Sequence, residues 1–224
     1  MPHGFPIFID VSNRPAVIIG GGAVAARKAS GLLAAGGKHI KAVAPKFIRD
    51  FPAEVEKITA SFTPEHLEGA SLVFAATDST ATNDAVVAEA RRRGLSVNRA
   101  DSDEDDPADF VVPAVLRCGA ITVAVSAAGS PALASAIRDQ IAGFLGDDWI
   151  NLADALHHLR PLIKSTGLPI AKRREIFRAL ATPTAAQMLA DGGIAGLCTW
   201  IRSQFQELPS LHLPEGDSSS SAKR

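Results

Sequence analysis

Through the first half of the chain, short and nearly continuous apolar runs alternate with longer segments whose apolar positions recur at helical spacing. The runs at 16–19, 40–44, 58–62, 72–76 and 95–97 are rich in Val, Ile, Leu, Phe and Ala, which suits strands buried on both faces. Helical spacing predicts helices over 23–35 and 80–93, so strand and helix alternate as in a parallel sheet covered by helices. After Asp109 the pattern changes: two β-rich runs, 110–117 and 120–126, flank Cys118-Gly119 and read as a hairpin. Ser130-Pro131 then supplies an N-cap and a first-turn proline for a helix to about residue 145. From 147 to 208 the pattern is helical, broken near Gly167-Leu168-Pro169, Thr182-Pro183 and Gly192-Gly193. The fold class is therefore α/β: a Rossmann-like parallel sheet over 1–113, a small α+β segment (hairpin plus helix) over 114–146 and a helical domain over 147–208. The polar, serine-rich stretch over 209–224 is expected to be a disordered tail.

The 224 residues, 46% hydrophobic and 21% charged, suffice for one substantial core and a second, smaller unit. A formal net charge of −1 supplies no general attraction to nucleic acid or to an anionic membrane, and neither is expected as a partner. Met1-Pro2-His3-Gly4-Phe5 lacks a basic leader followed by an apolar run, and no apolar stretch is long and charge-free enough to span a bilayer. A cytoplasmic protein is expected. Cys118 and Cys198 are too few and too far apart for a zinc knuckle or a Cys-x-x-Cys pair, and read as buried thiols. His157 and His158 point in different directions on a helix, without an acidic or cysteine partner at ligand spacing, so no resident metal is expected.

The chemistry begins at Gly20-Gly21-Gly22-Ala23-Val24-Ala25, between the apolar run ending at Ile19 and an alanine-rich helix. In the G-x-G-x-x-G/A pattern Gly20 makes the tight turn, Gly22 lets backbone approach a pyrophosphate, and Ala25 permits close helix–strand packing. Glycines between a strand and a helix also serve as plain turn formers, and S-adenosylmethionine enzymes use a similar loop. The acid that usually binds the adenosine ribose, about 20 residues further on, is absent. The second strand ends in Ala44-Pro45-Lys46, where Lys46 tolerates a 2′-phosphate, so this position leaves NAD against NADP open. Ligands of such sheets lie at the carboxyl ends of the strands, so 20–22, 44–45, 76–78 and 98–101 should face one crevice. Candidate cofactor contacts are Gly20, Gly22, Ala23, Val24, Ala44, Pro45, Thr77 and Asp78.

Taken together, Gly20-Gly21-Gly22-x-Val24-Ala25-x-Arg27-Lys28, Val43-Ala44-Pro45, Ala75-Ala76-Thr77-Asp78, Val97-Asn98-x-x-Asp101, Asp109-Phe110-x-x-Pro113-Ala114 and Val123-Ala124-Val125-Ser126-x-x-Gly129-Ser130-Pro131 resemble the precorrin-2 dehydrogenase family, which includes the dehydrogenase/ferrochelatase part of siroheme synthase. The resemblance spans roughly residues 5 to 145 and keeps all six segments in order. It implies NAD+-dependent oxidation of precorrin-2 to sirohydrochlorin, a step toward siroheme and cobalamin. It also implies a homodimer joined through the 114–146 segment, with the tetrapyrrole in a cleft between domains. Some members insert Fe2+ or Co2+ into sirohydrochlorin, so a bifunctional dehydrogenase/ferrochelatase is the alternative, with the metal in transient contact only. No methyltransferase domain follows the match, so the three-activity form is not expected. A dinucleotide-sensing regulator is a third reading, weakened by the lack of a helix-turn-helix or a basic stripe.

The resemblance assigns the proton-accepting role to Asp101, the acid of Asn98-Arg99-Ala100-Asp101. By itself the run 101–106, with five carboxylates in six residues, reads as a solvated acidic loop. It is about two residues longer than the family pattern, which leaves Asp105 and Asp106 as alternatives. Crowded carboxylates repel, which raises the pKa of some members and suits one of them to act as a base. The substrate that the resemblance implies is a polycarboxylate, for which Asn98, Arg99, Arg117 and Ser126 are the candidate contacts, since arginine's fork matches carboxylate geometry. Arg138, Lys28 and the Lys172-Arg173-Arg174 run are weaker candidates and read more simply as solvated charge. Ser126 stands where some siroheme synthases carry two serines, the second replaced here by Ala127, and Ser130 reads as a helix cap.

Overall fold

A computed structural model describes residues 4–101, 108–127, 129–209 and 211. The chain divides into two compact units, with the boundary between Val112 and Pro113.

The first unit is built on five parallel strands: β1 (Ala16–Ile19), β2 (Ile40–Ala44), β3 (Glu56–Thr59), β4 (Leu72–Ala75) and β5 (Ser96–Arg99), in the order β3-β2-β1-β4-β5. Alternation along each strand sorts side chains to two faces. Ala16, Ile18, Ala42, Leu72 and Phe74 join one apolar cluster with Ala25, Ala29 and Leu32 of α1 (Ala23–Ala34). Val17, Ile19, Val43, Val73 and Val97 join a second with Val86, Val87 and Ala90 of α2 (Thr80–Arg92). The sheet is thus covered on both faces, which is why its central strands are almost uniformly apolar. Alanine at 25, 26 and 29 lets α1 lie close against the sheet.

Three strands differ from the sequence expectation, β4 only in ending at Ala75 instead of residue 76. β3 lies at 56–59, not 58–62, because an edge strand needs no continuous apolar run and tolerates the exposed Glu56 and Lys57. β5 starts one residue later and runs on to Arg99, where Ala75 is its partner, so the polar pair Asn98-Arg99 belongs to the strand. Asp109 fastens the chain back onto β5. Its N–H donates to the Val97 carbonyl (3.0 Å), its Oδ2 accepts from the Val97 N–H (3.0 Å), and Arg91 reaches its Oδ1 at 3.4 Å.

The second unit opens with an antiparallel hairpin, β6 (Ala114–Cys118) and β7 (Ile121–Val125). Residues 110–113, read from sequence as part of its first strand, lie outside it. Gly119 turns the hairpin at φ +53°, beside the Asp154 carboxylate, which accepts from the Ala120 N–H at 2.6 Å. Cys118 is half-buried, not buried as expected, whereas Cys198 lies inside the helical core. α3 (Pro131–Phe144) starts at Ser130, whose hydroxyl accepts from the Leu133 N–H at 3.4 Å. α4 (Asp147–Ser165), α5 (Ile170–Leu180) and α6 (Pro183–Gln204) surround Leu152, Leu159, Ile163, Ile176, Leu180, Leu197 and Ile201. All three sequence breaks are realised: a turn at 166–169, a Thr182 cap on α6, and non-helical backbone at Gly193 (φ 60°, ψ −164°) inside α6. The hairpin, α3 and the helices fall within the same compact unit. Of the 209–224 tail, Leu211 packs against the helical core, and residues 212–224 lie outside the described residues.

Leu159 has no exposed surface, so Leu159→Ala is expected to cost about 2–5 kcal/mol, against about 1 kcal/mol for removing the α6 cap by Thr182→Ala. Urea unfolding followed by far-ultraviolet circular dichroism checks the two values.

Candidate functional site

At the carboxyl end of the parallel sheet lies a crevice of about 850 Å3, within the range of sites that take a small molecule or cofactor. It opens at the end of β1, where the strand order reverses: the chain runs outward through β2 and β3 and then returns to place β4 on the other side of β1, the topological switch point of a sheet in this order. Backbone contact shapes its floor. Gly20 has φ +141°, and a Cβ there would lie 2.2 Å from the Ala76 carbonyl oxygen; one on Gly21 would lie 2.1 Å from that of Lys46. These glycines let three strand ends close together, and the Gly20 N–H to Val43 (2.9 Å) and Ala76 N–H to Ile19 (2.8 Å) hydrogen bonds hold them.

Gly22 is the N-cap of α1, has no side chain to satisfy the first-turn N–H groups, and faces open space, while no acidic residue stands in that turn. The exposed donors and positive helix end suit an anion such as a pyrophosphate. The structure places all eight candidate cofactor contacts on this crevice: Gly20, Gly22, Ala23 and Val24 at the α1 end, Ala44 and Pro45 at the end of β2, and Thr77 and Asp78 after β4. Sequence reasoning missed Ser61 and Phe62 after β3, and Ser79 and Thr82 at the start of α2, which line it too. Ser61 and Phe62 had been read as strand, and only the shortened β3 delivers them to the rim. No acidic residue from the end of β2 reaches the crevice, where Lys46, Phe47 and Ile48 stand instead.

The opposite wall is set by α2 and β5. Asn83 is fully buried, accepts at Oδ1 from the Thr77 N–H (3.1 Å) and hydroxyl (2.8 Å), and donates to the Thr77 carbonyl (3.1 Å). No local pattern marks an asparagine inside a helix for this role. Asp101 lines the crevice with its side chain about one-third exposed. Burial pushes its carboxyl upward, but hydrogen bonds from Arg99 and Asn83 and the Arg99 charge outweigh this and hold it below the usual carboxylate range. Crowding is expected to raise the pKa of some carboxylates of the run, and Asp101 is not one of them, because its charged partner among the described residues is a guanidinium.

The other expected substrate contacts are found elsewhere. Asn98 is interior: its Nδ2 donates to the Phe110 carbonyl at 2.8 Å, and its Oδ1 is buried without a partner among the described residues. Arg99, with a side chain only 8% exposed, spans Asp101 (2.8 Å) and Asp84 of α2 (2.5 Å) instead of facing outward for a ligand. Arg117 and Ser126 belong to the hairpin unit and are exposed there. Arg138 pairs with Asp139, Lys172 with Glu175 and Glu207, and the half-buried Lys28 on α1 has its ammonium pulled below its ordinary value by burial and by Arg27. Asp105 and Asp106 lie outside the described residues. The His157 and His158 rings meet edge to face at 5.5 Å, and no group of three or more metal-ligating side chains assembles among the described residues. No helix among them is long and apolar enough to cross a membrane.

Comparison with known proteins agrees with this geometry. Residues 7–114 match a family described as putative NAD(P)-binding, and the residues that line the crevice lie within that span. The chain is 34% identical to a siroheme synthase of Nitrosomonas eutropha over 195 residues, covering 84% of this chain and 40% of that protein. It is 32% identical to a siroheme synthase of Photorhabdus laumondii over 208 residues, covering 90% and 44%. The chain thus spans about two-fifths of the length of these curated relatives. Among solved structures, SirC, a precorrin-2 dehydrogenase, shares the fold with a TM-score of 0.73 at 20% identity, covering 89% of this chain and 100% of that one.

Gly20→Ala forces an unfavourable φ and drives a methyl group into the Ala76 carbonyl. It is expected to destabilise the protein by about 1–3 kcal/mol and to abolish NAD+ binding, read by isothermal titration calorimetry. Gly36→Ala, at φ +83° with nothing within 4 Å, is expected to cost stability alone and leave NAD+ affinity unchanged.

Proposed function

Because this chain belongs to the precorrin-2 dehydrogenase family, to which the matching part of siroheme synthases also belongs, we propose that it oxidises precorrin-2 to sirohydrochlorin with NAD+. The observation that carries the reading is a dinucleotide crevice with a carboxylate, Asp101, at its far wall. The glycine turn and the uncapped α1 terminus fit a pyrophosphate, and Ala44 and Pro45 border the place of the adenosine ribose. Bound NAD+ supplies a hydride acceptor. In the dehydrogenation two hydrogens leave the macrocycle, one as hydride and one as a proton, and Asp101 receives the proton at a carboxylate oxygen. Its lowered pKa keeps Asp101 ionised and able to accept at neutral pH, with the proton then passing to solvent through its exposed third. Thr77, held on three sides by Asn83, fixes the backbone between the cofactor floor and the Asp101 wall.

The assembly proposed for this activity is a homodimer through the second unit. Leu133, Ile137 and Phe144 of α3 are 53%, 36% and 87% exposed, a large apolar surface for one helix.

Anaerobic incubation with precorrin-2 and NAD+ should yield sirohydrochlorin and NADH in equal amounts; absence of NAD+-dependent product would reject the activity. Asp101→Asn should lower kcat by about 10²-fold or more with NAD+ affinity unchanged. Asp105→Asn and Asp106→Asn, assayed alongside, should be near neutral; full turnover by the Asp101 variant would move the role to one of them. Acceleration of Fe2+ or Co2+ insertion in the same assay would add the ferrochelatase activity.

A further inference from the structure

Arg99 has the residue type that recognises a carboxylated substrate, but its geometry commits it to the protein. Its side chain is 8% exposed. Nε donates to Asp101 Oδ1 at 2.8 Å and Nη1 to Asp84 Oδ1 at 2.5 Å, with Nη2 reaching Asp101 Oδ2 at 3.5 Å. Asp84 sits on α2 directly after Asn83, the residue that grips Thr77. The start of α2 therefore holds both crevice segments, Thr77 through Asn83 and Asp101 through the Asp84–Arg99 bridge. An exposed aspartate after a strand end has several rotamers; a guanidinium fixed at its far side by a second carboxylate selects one of them.

We propose that Arg99 is a positioning residue: anchored by Asp84, it fixes and orients the Asp101 carboxylate at the crevice wall and does not bind substrate. The proposal rests on the reading of Asp101 as proton acceptor, and its consequences separate from that reading. Among the described residues, the charged groups paired with Asp101 or on its crevice are Arg99 on β5, Asp84 on α2, Asp78 after β4 and Lys46 after β2. Removing Arg99 takes away the cation paired with Asp101 among the described residues, while removing Asp84 takes away an anion that competes for the guanidinium. The two substitutions should therefore differ at Asp101: loss of Arg99 raises its titration and loss of Asp84 does not, a split that general loosening of the wall does not produce.

The test uses the full chain with 13C-labelled aspartate carboxyls, the Asp101 signal being assigned by its loss in Asp101→Asn. In Arg99→Gln the Asp101 titration should rise by about 1–3 pH units, and in Asp84→Asn it should stay or fall. Arg99→Lys keeps the charge without the fork, and should hold the titration low while failing to restore turnover. With precorrin-2 and NAD+, Arg99→Gln should lower kcat by about 10- to 100-fold with KM unchanged. NAD+ affinity should stay at the parent value in every variant, which verifies that the crevice is folded. Identical Asp101 titrations in the parent and Arg99→Gln would overturn the proposal, as would a raised KM at constant kcat, the signature of substrate binding. If the parent shows no turnover, the function fails while the carboxyl titration still decides the role of Arg99.

Discussion

The site depends on how closely backbone approaches backbone at the end of β1. Gly20 lies against the Ala76 carbonyl and Gly21 against that of Lys46, closer than any Cβ allows. This contact draws the ends of β1, β2 and β4 to one point, and the crevice opens above it. The N-terminus of α1 aims into that space because the helix begins within two residues of the turn and packs on the sheet through alanines. A side chain at either glycine would separate the strands that the rest of the unit is built upon.

Across the crevice the controlling interaction is electrostatic. A guanidinium with little access to water lies between two aspartates, one on the wall and one on a helix. Such a bridge is worth more for geometry than for stability, since Asp84 and Asp101 both retain contact with solvent. Its consequence is an aspartate whose ionisation is set by an arginine at the end of the strand before it and whose direction is set by a different element. The same helix turn fixes Thr77, so cofactor floor and acidic wall share one support. The Asp109 clamp on Val97 closes the chain back onto β5 after the acidic run, with Arg91 of α2 holding the clamp from outside.

Much of this was legible locally. Strand and helix alternation, the glycine turn, the Ser130 and Thr182 caps and the Gly193 break each leave a mark within a few residues, because each is imposed by backbone sterics or short-range hydrogen bonding. The convergence of Gly20, Ala44, Thr77 and Asp101 followed from a topological rule of parallel sheets. The edge strand was misplaced because exposed positions carry no apolar signal. Arg99 and Asn98 were assigned outward because residue type was the sole guide to direction. Strand alternation turns Asn98 away from the α2-side cluster that holds Val97, and the amide braces Phe110 from inside.

The order of elements, the two-faced sheet, the glycine turn and the family resemblance are all written along the chain, since they rest on periodicity, on glycine and on contiguous motifs. Tertiary structure alone decided the partners across elements: Asp84 with Arg99, Asn83 with Thr77, and Ser61 and Phe62 with the crevice. The reason is distance. Charge interactions and hydrogen bonds act over a few ångströms in space, and residues 84 and 99 become neighbours only when α2 and β5 pack together.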